Sequence, residues 1–495
     1  MSSSKSSPKR ESKISFKSIA PFELFYQLTY LSAMTAAGIS RGKTFELAAQ
    51  SSVPAAEYFK AINILVDEFR YDYPDACRAV GLKAKSDNMR SFLLRLSDAL
   101  RSGEPMPEFM AREATVQGQD YQNKYERDLE ALKQWTNAYT SISISVALIV
   151  IIQVVSSMIY SMNSGVMLGL VLTGVTMAGF GAWIIWRSAP QEIMTVKPSQ
   201  GSPEQRQALR LFKLLAPLML VAAMLMHLLH VPLGWILIVV AVMQLPIGVV
   251  SLRSDGKTNK KDVEFGTFLR SAGGMATATG TTLKQALTRI DLSSFPYLEP
   301  DINRLSTRLQ ALVEPEVCWH TFGLETGSKL ISEVTDIFYG AIKIGGDPER
   351  VGYLCSLFAS KTAQLRSKRR LTVGTFAGLS TVMQAVVAGL MVFVLSIVQN
   401  FAVMVQELMP TTQAASRGGT NLSIGMAEFS AGELEFLATL TVVMVLLMAT
   451  INATAVILGD GGYRFKFAFY LAITILISGV CFLVVPPMVA GILTI

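Results

Sequence analysis

The chain has 495 residues, of which 51% are hydrophobic and only 16% charged, and its mean hydropathy is +0.40. A soluble globular chain of this length is less apolar, so the composition excludes that class and indicates a membrane protein with water-facing parts. The net charge of +7 does not indicate nucleic acid, because membrane proteins concentrate Lys and Arg on their inner side and no basic and aromatic constellation of a nucleic-acid module is present.

Residues 1–20 are a Ser/Lys-rich tail without an apolar core, read as disordered and not as a signal peptide. A first charged block, 21–138, has apolar residues at helical spacing (Phe22, Phe25, Tyr26, Tyr30, Leu31) and no alternating pattern, which predicts a helical bundle. Residues 134–186 then carry no Lys, Arg, Asp or Glu, enough for two spans broken at Met162-Asn163-Ser164-Gly165. After a loop at 188–211, a second uncharged run at 214–252 divides into two at His230-Val231-Pro232. The second block, 253–371, is again helical in pattern, as at Leu305, Leu309 and Leu312. Uncharged runs at 371–406, 436–459 and 467–495 supply one span each.

The expected fold is therefore all-α and polytopic, with seven transmembrane helices near 139–161, 165–187, 212–229, 232–252, 372–399, 435–457 and 467–494. Two helical domains, 21–138 and 253–371, face the cytoplasm. With the N-terminus cytoplasmic and the C-terminus external, only Arg417 of the 44 basic residues lies outside, in an external loop at 400–434. Cys77, Cys318 and Cys355 then face a reducing interior and Cys481 sits in the last span, so no disulfide framework is implied. The openings of the two blocks echo each other: in each, a helix ends at a glycine, Gly38 or Gly280, and a second helix follows hydroxyl-bearing residues able to cap it. Near its end each block has a further corner, at Arg101-Ser102-Gly103-Glu104-Pro105 and at Ile344-Gly345-Gly346-Asp347-Pro348. A duplicated unit of bundle plus spans describes both.

The stretch 322–370 resembles the second cytoplasmic domain of the type II secretion F family, the polytopic platform proteins of type IV filament machines. It is most similar to the archaeal branch of archaellum (FlaJ/ArlJ) and TadC-like adhesion-pilus proteins. The motifs that carry this are Glu325-Thr326-Gly327-Ser328, the Gly345-Gly346 corner, the Ser367-Lys368-Arg369-Arg370 ending before a span, Gly461-Gly462-Tyr463 and, in the first block, Leu100-Arg101-Ser102-Gly103. The resemblance implies a non-enzymatic protein of the plasma membrane, without cofactor. Its partners would be a hexameric secretion ATPase below, pilin or archaellin subunits above, the lipid bilayer around it and a second copy in a homodimer. A Tad-like or type II secretion pseudopilus platform is the alternative within the family, and a membrane transporter or channel the alternative outside it. Under this reading Lys284, Arg289, Arg304, Arg308, Lys361 and Arg366 are candidate ATPase-docking residues, since charge complementarity to an acidic rim would orient the encounter. Lys368, Arg369 and Arg370 read instead as positive-inside residues at lipid headgroups. Structural corners are expected at Gly38, Gly280, Gly327, Gly345 and Gly346.

Other motifs weigh less. Residues 37–44 (AGISRGKT) fit a relaxed phosphate-binding loop, but a helical pattern precedes them where that loop needs a strand, so a helix corner is expected. Leu458-Gly459-Asp460-Gly461 approaches a membrane aspartyl peptidase motif without the second carboxylate that chemistry requires, and Asp460 reads as a loop residue. His227 and His230 lie one turn apart without further metal ligands nearby, and His320 reads as ordinary helix packing beside Trp319. The span interiors hold no ionisable residue, against ion-coupled transport, and Gln384 and Asn452 are expected to join helices by hydrogen bonds. Asn421-Leu422-Ser423 is a glycosylation sequon in the external loop.

Overall fold

The computed structural model describes residues 16–51, 53–159, 164–415 and 431–493, and among these the regular structure is helical. The first block consists of α1 (Pro21–Thr35), α2 (Arg41–Gln50), α3 (Ala56–Asp67), α4 (Tyr73–Leu82), α5 (Asp87–Ser102) and the start of α6 (Met106–Ile159). Next come α7 (Ser164–Ser188) and α8 (Pro203–Leu228). The second block takes the end of α9 (Leu233–Thr279), then α10 (Leu283–Leu287), α11 (Glu299–Gln310), α12 (Pro315–Glu325), α13 (Lys329–Lys343) and the start of α14 (Pro348–Ala415). The chain closes with α15 (Ala431–Asp460) and α16 (Phe467–Leu493). Local chemistry sets several boundaries. Ser40 and Ser202 accept from first-turn amides of α2 and α8 that lack an intrahelical partner, and Gly103 ends α5 in a left-handed conformation.

The described residues divide into two compact units. The first contains the residues up to Lys124, Lys261–Gly323 and Leu330–Ala363, so both sequence blocks contribute to a single unit where two domains were expected. The boundaries between the units fall inside the continuous helices α6, α9 and α14. In the first unit, the core of the first block gathers Leu24, Leu28, Phe45, Tyr58, Phe59, Phe92 and Leu96. Phe358 of α14 is 1% exposed and joins the second block to α1, its ring 4.6 Å from that of Phe25. Tyr121 of α6 stacks on Phe25 at 5.8 Å, and a β-carbon at Gly118 would lie 2.7 Å from the same ring.

The internal repeat is written into the backbone. Left-handed residues recur in matching places: Gly38 and Gly280 after the opening helices, Arg70 and Leu312 at the α3–α4 and α11–α12 turns, Gly103 and Gly345 before the long helices. One interval, 242 residues, relates all three pairs, and it recurs in side-chain contacts between α6 and α14. Glu108 faces Arg350 at 3.6 Å, and Lys361 donates to Gln119 at 3.4 Å. Residues in equivalent places touch each other only across a two-fold axis, so the two halves of the first unit are related by a pseudo-two-fold that runs between α6 and α14. The partners differ in charge, acidic or neutral on α6 and basic on α14, so the seam favours joining unlike halves.

The second unit comprises Tyr125–Lys260, Leu324–Lys329 and the residues from Gln364 on. Among the described residues five helices are long and apolar enough to cross a membrane, α8, α9, α14, α15 and α16. The first two expected spans fall in α6 and α7, and the break proposed at Met162–Gly165 lies largely outside the described residues. The turn expected at His230 is present, with His230 left-handed between α8 and α9. The span expected to end at 399 continues as helix to Ala415, while Arg417, Asn421 and Glu428 lie outside the described residues. A hydrogen-bond chain joins four of the long helices: Tyr139 Oη donates to Asn452 Oδ1 at 2.7 Å, Asn452 Nδ2 to Gln384 Oε1 at 2.8 Å, and Gln384 Nε2 to Ser478 Oγ at 3.0 Å. Gln384 and Asn452 therefore link helices as their place in apolar runs predicts.

Two substitutions separate the strengths of these contacts. Phe358→Ala removes the ring on which α1 rests and is expected to cost about 3–5 kcal/mol, seen as a clear drop in the apparent Tm of the detergent-solubilised protein. Gln384→Leu, in a lipid setting where partners are easily exchanged, is expected to cost only about 0.6 kcal/mol in the same measurement.

Candidate functional site

A buried polar cluster of the second unit lies where the spans meet the second block, and it draws on α9, α14, α15 and the entry to α16. Asp255 of α9 is its centre. Lys466, at the entry to α16 and 3% exposed, donates to Asp255 Oδ2 at 2.8 Å and to Asp460 Oδ2 at 2.6 Å. Arg370 of α14 donates to Asp255 Oδ2 at 2.5 Å, and the Tyr463 amide donates to Asp255 Oδ1 at 3.2 Å. Burial alone would push the Asp255 carboxyl up, but the Lys466 ammonium and the Arg370 guanidinium outweigh it and hold the group below the ordinary carboxylate range. A cavity of about 220 Å³ opens beside the cluster, lined by Asp255, Arg370, Asp460, Lys466 and Tyr470 among others.

Arg369 is 2% exposed and engages no carboxylate in this cluster; it donates to Gly459 O at 2.8 Å and to Pro190 O at 2.7 Å. Gly459 is in the last turn of α15 and Pro190 follows the end of α7, so one cation caps the carbonyl-rich ends of two helices. Arg366, one turn earlier on α14, meets Glu192 at 2.6 Å with both side chains about 95% buried, exposures being 4% and 5%. Lys368 pairs with Glu126 of α6 at 2.6 Å, again across the 242-residue interval. The whole basic ending of the second block is thus engaged within the protein.

The glycines make this packing feasible. Gly461 is left-handed at φ 65°, and a β-carbon there would lie 2.4 Å from an Arg369 nitrogen. At Gly462 it would lie 2.6 Å from Asp460 Oδ2 and 2.7 Å from Asp255 Oδ1. Tyr463 then reaches away from the cluster and donates its hydroxyl to Gln205 O at 3.0 Å; burial pushes this phenol up to about 12, so it remains a donor at neutral pH. Gln205, fully buried at the start of α8, donates through Nε2 to Gly327 O at 3.2 Å. The segment around Gly327 also pairs with the α7–α8 connection, Val196 donating to Gly327 O and Lys329 to Met194 O. Two motifs far apart in the sequence, Glu325–Ser328 and Gly461–Tyr463, are therefore joined through Gln205.

The other predicted residues are placed as follows. Gly38, Gly280, Gly327 and Gly345 have φ of 70°, 60°, 81° and 98°. Gly346 has no positive φ, but a β-carbon there would lie 2.8 Å from Ala341 O. Lys284 and Arg289 lie at the surface around α10, and Arg304 and Arg308 one turn apart on α11, with Arg304 paired to Asp301. Lys361 sits on the α6–α14 seam, and Arg366 is buried against Glu192, so a role of Arg366 as a surface contact is corrected: reaching a partner would strip a buried carboxylate of its charge partner. The headgroup reading is corrected for Arg369, which is buried on backbone carbonyls, while Lys368 and Arg370 are paired with Glu126 and Asp255. Asp460 is a buried ion-pair partner and not a loop residue. His320 is exposed with Asp336 at 3.3 Å, and the buried residue there is Trp319. In the 37–44 stretch Ser40 caps α2 and Lys43 pairs with Glu46 at 3.0 Å, which makes it a corner between two helices.

Asp255, Lys466, Glu192 and Gln205 were not anticipated. A signal for two of them exists: Asp255, like Asp460, is an acidic residue at a span end otherwise marked by basic ones, and Lys466 lies between two glycines and an uncharged run. Gln205 has no such signal, because its role depends on backbone carbonyls brought from distant segments.

A family model described as type II secretion system protein F matches residues 28–154. The chain is 27% identical over 334 residues to Flagella accessory protein J of Methanocaldococcus jannaschii, covering 65% of this chain and 59% of that one. It is 23% identical over 341 residues to Flagella accessory protein J of Methanococcus voltae, covering 65% and 60%. The chain matches the type II secretion F family in its archaeal branch. The match to the family model lies in the first block and the helix that follows it, and the second block repeats that fold at the 242-residue interval. The chain spans about three fifths of the length of these F-family relatives. No solved structure matches. The stretches Gly461-Gly462-Tyr463 and Ser367–Arg370 that carried the resemblance in sequence now have a physical reason, since they supply the glycines and cations in and around the Asp255 cluster.

Lys466→Met leaves two buried aspartates short of a cation and is expected to cost about 3–5 kcal/mol, with part of the loss recovered in the double variant with Asp255→Asn. The native-state pKa of Asp255 lies below its unfolded value, so its stabilisation is complete above the ordinary carboxyl range near about 4 and disappears as pH falls through the depressed value. The apparent Tm of the wild type is therefore expected to fall in acid, and that of Asp255→Asn to fall less steeply.

Proposed function

We propose that this chain is the platform protein of an archaellum-type filament machine, held in the plasma membrane by seven spans with its N-terminus cytoplasmic and its C-terminus external. In this reading a cytoplasmic hexameric secretion ATPase acts on the first unit, and the spans guide filament subunits from the membrane into the growing filament. The protein has no catalytic activity of its own and works as a small symmetric assembly. The observation that carries the reading is the Asp255 cluster. It lies where α9 and α14 pass from span to second block, and it fastens both helices to the ends of α7, α15 and α16. A displacement of either long helix would be passed to the other spans through ion pairs and helix caps that are buried and therefore stiff. The likeness to two proteins called Flagella accessory protein J supports the choice of filament.

The test is electron microscopy of cells lacking the gene, complemented with wild type or with Lys466→Met. Wild type is expected to restore filaments and swimming, while Lys466→Met, present in the membrane at comparable level, restores neither. Unchanged filaments in the deletion strain would refute the proposal.

A further inference from the structure

At the inner ends of α14 and α16 the cations are engaged inside the protein, Arg366 with Glu192, Lys368 with Glu126, and Lys466 with Asp255 and Asp460. The inner end of α8 is different. Arg206, Arg210 and Lys213 on α8 and Arg464 at the entry to α16 are exposed, and among the described residues none of them has an ion-pair partner. The one acidic residue of α8, Glu204, is held by Lys257 at 2.7 Å. At about 100° per residue the three cations of α8 fall within about 60° of one another, with Glu204 on the opposite side of the helix. Arg464 is brought to the same end of α8 by its two neighbours: Tyr463 donates to Gln205 O at 3.0 Å, and the Phe465 ring lies 5.2 Å from that of Phe212.

The face that carries these cations continues as hydrocarbon. Pro217, Leu220, Val221, Met224 and Leu228 follow along it, and Leu220, Met224 and Leu228, at 74%, 77% and 73%, are the most exposed large apolar residues of α8. From Lys213 to its end at Leu228 the helix is only about 22 Å long, against about 30 Å for a hydrocarbon core, so Lys213 and Arg210 are drawn to the depth of the headgroup phosphates. Positive charge on the inner side of a membrane is general. Its gathering on one face, in line with the barest apolar residues, is particular to α8. An acidic protein or a nucleic acid matches the cations but not the hydrocarbon that follows them within about one turn. A lipid with an anionic headgroup matches both, its phosphate against Arg210, Lys213 and Arg464 and its chains along Leu220, Val221 and Met224.

We infer that this face of α8, together with Arg464, is a binding site for an anionic phospholipid of the inner leaflet, held through its phosphate by Arg210, Lys213 and Arg464. Arg206 lies about one turn nearer the water and adds to the attraction over a longer range. A lipid bound here fixes the depth of a span that is otherwise short. The inference requires that α8, which is long and apolar enough to do so, crosses the membrane. It requires no particular filament and no ATPase, so it stands or falls apart from the proposed function.

The experiment uses the full chain in mild detergent, with native mass spectrometry counting bound lipid and a thermal melt recording stability. Phosphatidylglycerol and phosphatidylcholine of equal chain length are the probes, with inorganic phosphate as the anion alone. Wild type is expected to retain phosphatidylglycerol in preference to phosphatidylcholine and to melt higher with it. Arg210→Gln, Lys213→Gln and Arg464→Gln are each expected to weaken that preference about fivefold, and the triple variant to abolish it. Because these side chains are exposed and unpaired, the triple variant without added lipid is expected to melt with wild type. Lys284→Gln with Arg289→Gln, basic and exposed elsewhere, is expected to leave the preference unchanged. A preference that survives in the triple variant, or that falls equally in the Lys284 and Arg289 variant, would overturn the site. Equal stabilisation by inorganic phosphate would overturn the lipid in favour of a free anion. A dimer that is lost in the triple variant, with no lipid preference in wild type, would make this face a contact between copies of the chain instead.

Discussion

Asp255 is the residue on which the most other placements depend. A carboxylate in a nearly dry site must be neutralised, and here Lys466 and Arg370 converge on it from two helices while the Tyr463 amide fills a further acceptor position. Each of those partners fixes something else. Lys466 draws in Asp460 and so the end of α15, and Tyr463 carries the connection to Gln205 and Gly327. Arg369, next to Arg370, ties down two helix ends. One buried negative charge at a span boundary thereby organises the ends of most of the spans.

The same boundary explains the distribution of polarity along the long helices. Within the spans the links are neutral, as in the Tyr139, Asn452, Gln384 and Ser478 chain, because charge there is costly. Just beyond, where α9 and α14 leave the apolar runs, full charges appear and are paired. Neutral links resist small displacements, whereas the paired charges beyond them hold helix ends in one arrangement.

Duplication gives the first unit its form. Two copies of one bundle meet along α6 and α14, and equivalent residues oppose each other there with unlike charge. A self-complementary pairing has thereby become a directed one, which keeps the two halves of one chain together. The repeat also preserves the left-handed turns at Arg70 and Leu312.

The helical class, the apolar runs and the repeat are all legible in the sequence, because each depends on local composition: charge-free lengths, spacings of three and four, and glycines at corners. Gln384 and Asn452 could be assigned correctly for a similar reason, since an amide in an apolar run has few alternatives to another helix. The union of the two blocks into one unit and the assembly of the Asp255 cluster were decided only by tertiary structure. Arg366, Arg369 and Arg370 look in sequence like any positive residues before a span; whether they face lipid, a partner or a buried carboxylate depends on what distant segments bring beside them. Pairing energies depend on distance and burial, and neither is a property of a residue's neighbours along the chain.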